Sequence, residues 1–281
     1  MDSFFTSSLD LSQALEEARR AAAKGRQVLL DYFGRLKRVQ EKHLAGLVSE
    51  ADVESERLIK EHLTKAFPDW GFLGEEESFE TLASLKVEAQ KNGEVPRWIV
   101  DPLDGTTNYI HRLPIYCISI GLEWRGQILA GLIDVPPMNL TYSATIGGGS
   151  FVNDQPIRVS TRKQLKDSLL ATGFFAGDKK ALVEQLGIFS SLVGRSRGVR
   201  RAGAAAYDLC LVAEGVFDGF WEKNLKPWDV AAGVLLVLEA GGHLSNYQGE
   251  AFDLYGDSLV ASNAHIHSTL VESIRKSSLK T

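Results

Sequence analysis

Apolar side chains recur at intervals of three, four and seven from Leu11 through Leu15, Ala18, Ala22, Leu29 and Phe33, the spacing of one helix face. Asp10 stands where an N-cap belongs, and Gly34 stands where such a helix stops. Arg35 to Leu47 is polar and punctuated by glycine, and reads as a loop. A second helix is expected from Ala51 to Phe67, with Leu58, Ile59 and Leu63 inward and Pro68 ending it. Phe79 to Glu94 is charged and reads as a short helix with surface loop. Trp98-Ile99-Val100 is an apolar run suited to a buried strand, and Pro102 forbids a helix through Asp101.

From Ile115 the period changes. Ile115 to Glu123, Gln127 to Val135 and Leu140 to Ala144 are β-rich runs, separated by Arg125-Gly126 and by Pro136-Pro137, which predicts an antiparallel meander. A short strand pair is expected around Asn153-Asp154, followed by Ile157 to Val159. The second half then alternates: strand Leu169 to Thr172, helix Lys179 to Val193, strand Gly198 to Arg200, helix Ala204 to Ala213, strand Val216 to Glu222 and helix Val230 to Ala240. Strands His243 to Ser245 and Leu259 to Ser262 and a final helix from His265 complete the chain. The pattern alone gives a mixed α/β protein of two lobes.

Composition narrows the class. The chain has 281 residues, 44% apolar and 24% charged, enough for one large core or two joined lobes. A net charge of −5 does not favour nonspecific nucleic-acid binding. No apolar stretch approaches a membrane span, and Met1 to Ser8 lacks the basic and apolar regions of an export signal, so a cytoplasmic protein is expected. Cys117 and Cys210 lie in apolar surroundings and read as buried reduced thiols, which fits a reducing compartment.

The candidate chemistry begins at Asp101-Pro102-Leu103-Asp104-Gly105-Thr106-Thr107-Asn108. Two carboxylates on a strand-exit loop, with the Leu103 carbonyl between them, offer oxygen ligands suited to Mg²⁺ or Mn²⁺. Gly105-Thr106 opens a helical turn whose free N–H groups can cradle an anion. Glu75 and Glu76 follow Phe72-Leu73-Gly74, another strand end; Asp52 begins the second helix, and Asp229 sits at the start of the helix from Val230. Taken singly, these acids read as turn formers, caps or solvated runs. If all six converge, their repulsion makes sense only when two or three cations occupy the pocket.

Asp101 to Asn108 resembles the first signature of the inositol monophosphatase family. Pro227-Trp228-Asp229-Val230-Ala231-Ala232-Gly233 resembles the second, and Gly74-Glu75-Glu76 the acidic motif between. Order and spacing agree from about Leu11 to about Ser273. The resemblance implies the layered α/β/α/β/α sandwich of the sugar phosphatases, with a lobe over residues 1–150 carrying most metal ligands and one over 151–281 completing the site. It implies one Mg²⁺ on Glu75, Asp101 and the Leu103 carbonyl, a second on Asp101, Asp104 and Asp229, and a third near Glu75 and Glu76. Glu75 and Thr106 would activate the attacking water, with Asp52 orienting Thr106. Ala205, Glu222 and Asp229, with Asp104, Gly105 and Thr106, would contact the substrate, though small residues from Gly203 to Ala206 serve tight helix packing equally well. Arg200 and Arg201 could meet a second phosphate, or stand as a surface pair. Ser49 replaces a family threonine, and Lys42 matches a loop lysine only with a one-residue adjustment. His265 and His267 read as a surface pair. The expected reaction is hydrolysis of myo-inositol 1-phosphate by a homodimer. Fructose-1,6-bisphosphate, histidinol phosphate and 3′-phosphoadenosine 5′-phosphate are alternative substrates, the last disfavoured by Thr107-Asn108-Tyr109. Leu225-Lys226-Pro227-Trp228 resembles bacterial members that bind transcription machinery. The expected partner is otherwise a small sugar or polyol phosphate, with no nucleic acid and no membrane.

Overall fold

A computed structural model of the chain describes residues 9–41, 47–78, 81–91, 94–174, 177 and 179–278. Lys42 lies outside the described residues. Helix α1 (Leu11–Tyr32) is capped by Asp10, whose carboxylate accepts the Gln13 N–H. Helix α2 (Glu50–Ala66) packs beside it, and both cover one face of a seven-stranded sheet. That sheet contains β3 (Gly71–Gly74), β4 (Arg97–Asp104), β5 (Cys117–Trp124), β6 (Gln127–Val135), β7 (Leu140–Thr145), β8 (Gly149–Val152) and β9 (Gln155–Pro156), in that order across the sheet. Every pairing is antiparallel except β3 with β4. Helix α3 (Leu82–Lys91) lies between β3 and β4 in sequence, and α4 (Thr106–Ile110) follows β4.

The second sheet runs in the order β11 (Gly198–Arg200), β10 (Leu169–Thr172), β12 (Gly219–Lys223), β14 (Ser258–Asn263), β13 (Gly242–Ser245). Helices α6 (Ala205–Ala213) and α7 (Pro227–Glu239) fill the space between the sheets, while α5 (Lys179–Val193) and α8 (His267–Ser278) cover the outer face. The layers are therefore α/β/α/β/α, with one apolar core between the first helix pair and the first sheet, one around the middle helices and reaching both sheets, and one between the second sheet and the outer helices. Helix α7 is apolar around nearly its whole circumference, as a helix between two sheets must be. Its close seat depends on Gly121 and Gly131, which face one another across β5 and β6. A Cβ on Gly131 would lie 2.8 Å from the Ala232 carbonyl oxygen, and one on Gly121 2.8 Å from the Ala231 Cβ.

Four expectations need correction. The stretch from Arg35 to Leu47 is not all loop: β1 (Val39–Glu41) pairs antiparallel with β2 (Leu47–Ser49). Ile157 to Val159 is not a strand, because the chain leaves the sheet after Pro156. Helix α7 starts at Pro227, whose missing N–H costs nothing in a first turn, so Asp229 is the third helical residue. His267 is partly buried rather than a surface residue: its ring lies 2.8 Å from the Ser262 hydroxyl and 3.0 Å from that of Ser245.

Candidate active site

Strands β4 and β5 pair regularly as far as Asp101, shift register, and meet again at Asp104 opposite Cys117. Pro102 falls inside the shift, where a residue without an N–H breaks no ladder. The two acids thus stand on an interrupted strand rather than on the exit loop that the sequence suggests. Asp101 Oδ1 accepts the Leu103 N–H at 2.9 Å. Asp104 Oδ2 accepts the Ala206 N–H at 2.8 Å and lies 3.5 Å from the Cys117 thiol. Ala206 is in the first turn of α6, so this bond joins the two halves of the chain at the site.

Gly74 pairs with Val100 in parallel register, so Glu75, just past β3, comes next to Asp101 of β4. The Glu75 N–H continues the ladder to the Val100 carbonyl at 3.1 Å. The next amide, that of Glu76, donates to Glu56 Oε2 of α2 at 2.9 Å. Asp229 arrives from the other side: its Oδ2 accepts the Lys226 N–H at 2.7 Å, and the Ser119 hydroxyl holds the Trp228 carbonyl at 3.2 Å.

The turn after Asp104 is made by Gly105, at φ +91°, where a Cβ would lie 2.8 Å from the Ile115 carbonyl. The Thr106 hydroxyl follows, 3.0 Å from Asp52 Oδ1 and 3.0 Å from the Leu103 carbonyl. With one proton, it serves one of these acceptors at a time. The other Asp52 oxygen accepts the Ser49 N–H at 2.8 Å and the Ser49 hydroxyl at 2.5 Å.

Electrostatics show which acids face each other. Burial, and after it the charges of Glu75, Asp104 and Asp229, push the Asp101 carboxyl well above the usual range. Burial and then Glu75 do the same to Asp229. Asp104 is pushed up to about 6, mainly by burial. Asp52 is also raised to about 6, again by burial, against the lowering effect of its Ser49 bonds. Among the described residues no three His, Cys, Asp or Glu side chains form a ready-made cage for an ion. Asp101 and Asp229 each commit one carboxylate oxygen to a backbone amide. The mutually opposed charges are nevertheless all oxygen donors, together with the Leu103 carbonyl, and that donor set fits a hard divalent cation.

Glu222, on β12, lies against Gly173, where any Cβ would overlap its carboxylate. Burial raises it strongly; Asp208, Asp229 and Asp104 add to the shift and Arg201 opposes it. Ala205, the first residue of α6, is buried. Arg201 is exposed, with its guanidinium 3.4 Å from the Phe174 carbonyl and its charge opposing the upward shifts of Asp208 and Glu222, whereas the Arg200 guanidinium stays by the Val199 carbonyl. Three residues here escape a reading of the sequence. Asp208 is 1% exposed, with Oδ1 unpartnered, on a helix otherwise apolar all round; a lone acid in such a run is its one signal. Glu56 and Ser55, on α2, are also buried. Glu56 follows Asp52 by four residues and so shares its face, which sequence can show, but its partner on a distant turn cannot be read that way.

The sequence model of the inositol monophosphatase family matches residues 10–279. An inositol-1-monophosphatase of Rhizobium meliloti (strain 1021) is 41% identical over 263 residues, covering 92% of this chain and 94% of that protein. A putative Nus factor SuhB of Neisseria meningitidis serogroup B is 38% identical over 262 residues, covering 92% and 97%. Among solved structures, the extragenic suppressor protein suhB from Bartonella henselae superposes with a TM-score of 0.85 at 38% identity, covering 94% of this chain and 98% of that one.

Proposed function

Because this chain belongs to the inositol monophosphatase family and is a phosphoric monoester hydrolase, we propose that it cleaves myo-inositol 1-phosphate to inositol and phosphate with Mg²⁺ in the pocket around Asp101. One observation carries this reading: Glu75, just past β3, stands next to Asp101 of β4, whose carboxyl also feels the charges of Asp104 and Asp229. Glu75, Asp101, the Leu103 carbonyl, Asp104 and Asp229 would hold two ions, and Glu76 would stand near a third; Mn²⁺ is a chemical substitute. Bound there, such ions neutralise the acids, lower the pKa of water and stabilise a departing alkoxide.

The side chains supply the rest. The Thr106 hydroxyl aims the attacking water and Asp52 fixes that hydroxyl, while Glu75 takes the water's proton as the new P–O bond forms, the bond from phosphorus to the inositol oxygen breaks, and that oxygen takes up a proton from water. The amides at Gly105 and Thr106 receive the phosphate, and Ala205, Glu222 and Asp229 meet the polyol. Hydroxyl groups suit this wall, since each can donate to a buried carboxylate oxygen. The reading carries with it a homodimer in the cytoplasm, which sedimentation and cell fractionation test. Among the described residues no helix is long and apolar enough to cross a membrane.

Phosphate release from inositol, fructose and histidinol esters, with metal-stripped and Mg²⁺-loaded protein, tests the proposal. Activity is expected to require the ion and to favour the inositol ester. Asp101→Asn should lower kcat/KM by about 10²–10³-fold, the several kcal/mol that a catalytic ion contributes. Wild-type turnover in Asp101→Asn would overturn the metal assignment. A transcription-machinery role, raised by the resemblance of Leu225-Lys226-Pro227-Trp228 to bacterial members, predicts instead a partner that Asp101→Asn still binds.

A further inference from the structure

Helix α2 touches the site at three places with successive inward side chains. Asp52 reaches the Thr106 hydroxyl, and the Ser55 hydroxyl donates to the Pro102 carbonyl at 3.1 Å, inside the register shift of β4. Glu56, one residue on and 3% exposed, accepts the Glu76 N–H at 2.9 Å through Oε2. Gly74 shows how closely this last contact is fitted, because a Cβ there would overlap the Glu56 carboxylate. A carboxylate is costly to bury unless it is hydrogen-bonded, and the Glu76 N–H supplies such a bond. The backbone that it holds is the turn bearing Glu75 and Glu76, which the Glu75 N–H ties to the Val100 carbonyl at 3.1 Å and which a Lys60–Glu77 ion pair also joins to α2.

We propose that Glu56 is a positioning residue: by holding the Glu76 amide it sets where the Glu75 side chain stands, and so tunes the affinity of the site for a divalent ion. Asp52 and Ser55 hold the segment from β4 into α4, and Glu56 holds the neighbouring turn after β3 from the same helix. A rigid helix carrying all three makes the separation between Thr106 and Glu75 a property of α2 rather than of two independent loops. The inference rests on the reading of Glu75 as a ligand, so its test needs a readout free of metal.

Two measurements on the full chain give it. Amide hydrogen exchange of residues 75–77 in metal-stripped protein reads the anchor alone, and Mn²⁺ titration followed by electron paramagnetic resonance reads the ion site. Glu56→Ala should speed exchange at the turn and weaken Mn²⁺ binding by about tenfold, the usual penalty for losing a residue that orients a ligand. Glu56→Gln, whose amide oxygen can still accept, should restore both to within about threefold of the natural protein. Gly74→Ala, which displaces the carboxylate without deleting it, should reproduce the Glu56→Ala result, and it keeps the test open if Glu56→Ala does not fold. Unchanged exchange, or faster exchange with unchanged Mn²⁺ affinity in a folded variant, would overturn the proposal. A natural protein that binds no Mn²⁺ would overturn the ligand reading of Glu75, while the exchange data would still report whether Glu56 anchors the turn.

Discussion

Thr106 and Glu222 divide the proposed chemistry between aiming water and choosing the alcohol. Thr106→Ala removes a hydroxyl held 3.0 Å from Asp52 without touching any carboxylate. Turnover is expected to fall about 10²-fold, the lower end of what a positioned proton-transfer group supplies, while the Mg²⁺ concentration for half-maximal rate stays put. Steady-state kinetics across a Mg²⁺ series check this, and parallel loss of both quantities would place Thr106 among the ligands. Glu222→Gln keeps shape but not charge beside Asp208 and Arg201. Its kcat/KM for a polyol phosphate should drop about tenfold more than for an aryl phosphate, because only the polyol offers hydroxyls to that carboxylate. The ratio of the two constants is the measurement, and an equal drop would remove Glu222 from the polyol contacts.

At the level of elements, the seat of α7 on the first sheet is the sharpest test. Gly131→Ala pushes a methyl group toward the Ala232 carbonyl at 2.8 Å, where the neighbour is backbone and cannot swing aside. A loss of about 1–3 kcal/mol in unfolding free energy is expected, measured by urea denaturation. Activity should fall further than stability explains, since α7 carries Asp229. Elements with strong punctuation were legible in the sequence. Gln127–Val135 lies between Gly126 and Pro136, and Leu169–Thr172 and Lys179–Val193 match their expected limits. The start of α7 was not legible, because Pro227 and Trp228 read equally as loop or first turn. The β1–β2 pair was hidden as well: three-residue strands contain too little alternation to register as a period. The same limit applies around the pocket. The signature acids announce themselves by spacing, whereas Ser55 and Glu56 look like ordinary polar helix positions until the fold brings Pro102 and Glu76 to them.

For the whole molecule, the joint between the last helix and the second sheet predicts a pH response. Burial, helped by the charge of His243, lowers the His267 pKa to about 4, while the unfolded chain takes up that proton near 6.5. Between these values the unfolded state holds more protons, so the stability due to the neutral ring is complete above about pH 6.5 and is lost as pH falls toward 4. Partial exposure of the ring reduces the effect to about 1 kcal/mol. The buried carboxyls, raised in the fold, work in the opposite direction, so the comparison is between natural protein and His267→Asn. Urea midpoints at pH 7 and pH 5 should show a larger acid loss in the natural protein, and identical losses would refute the assignment. The bond from the Ala206 amide to Asp104 has a wider implication. One member of the acidic group is oriented by a helix encoded a hundred residues downstream, so a nascent or truncated chain ending before α6 would own every signature acid of the first half and still be catalytically mute.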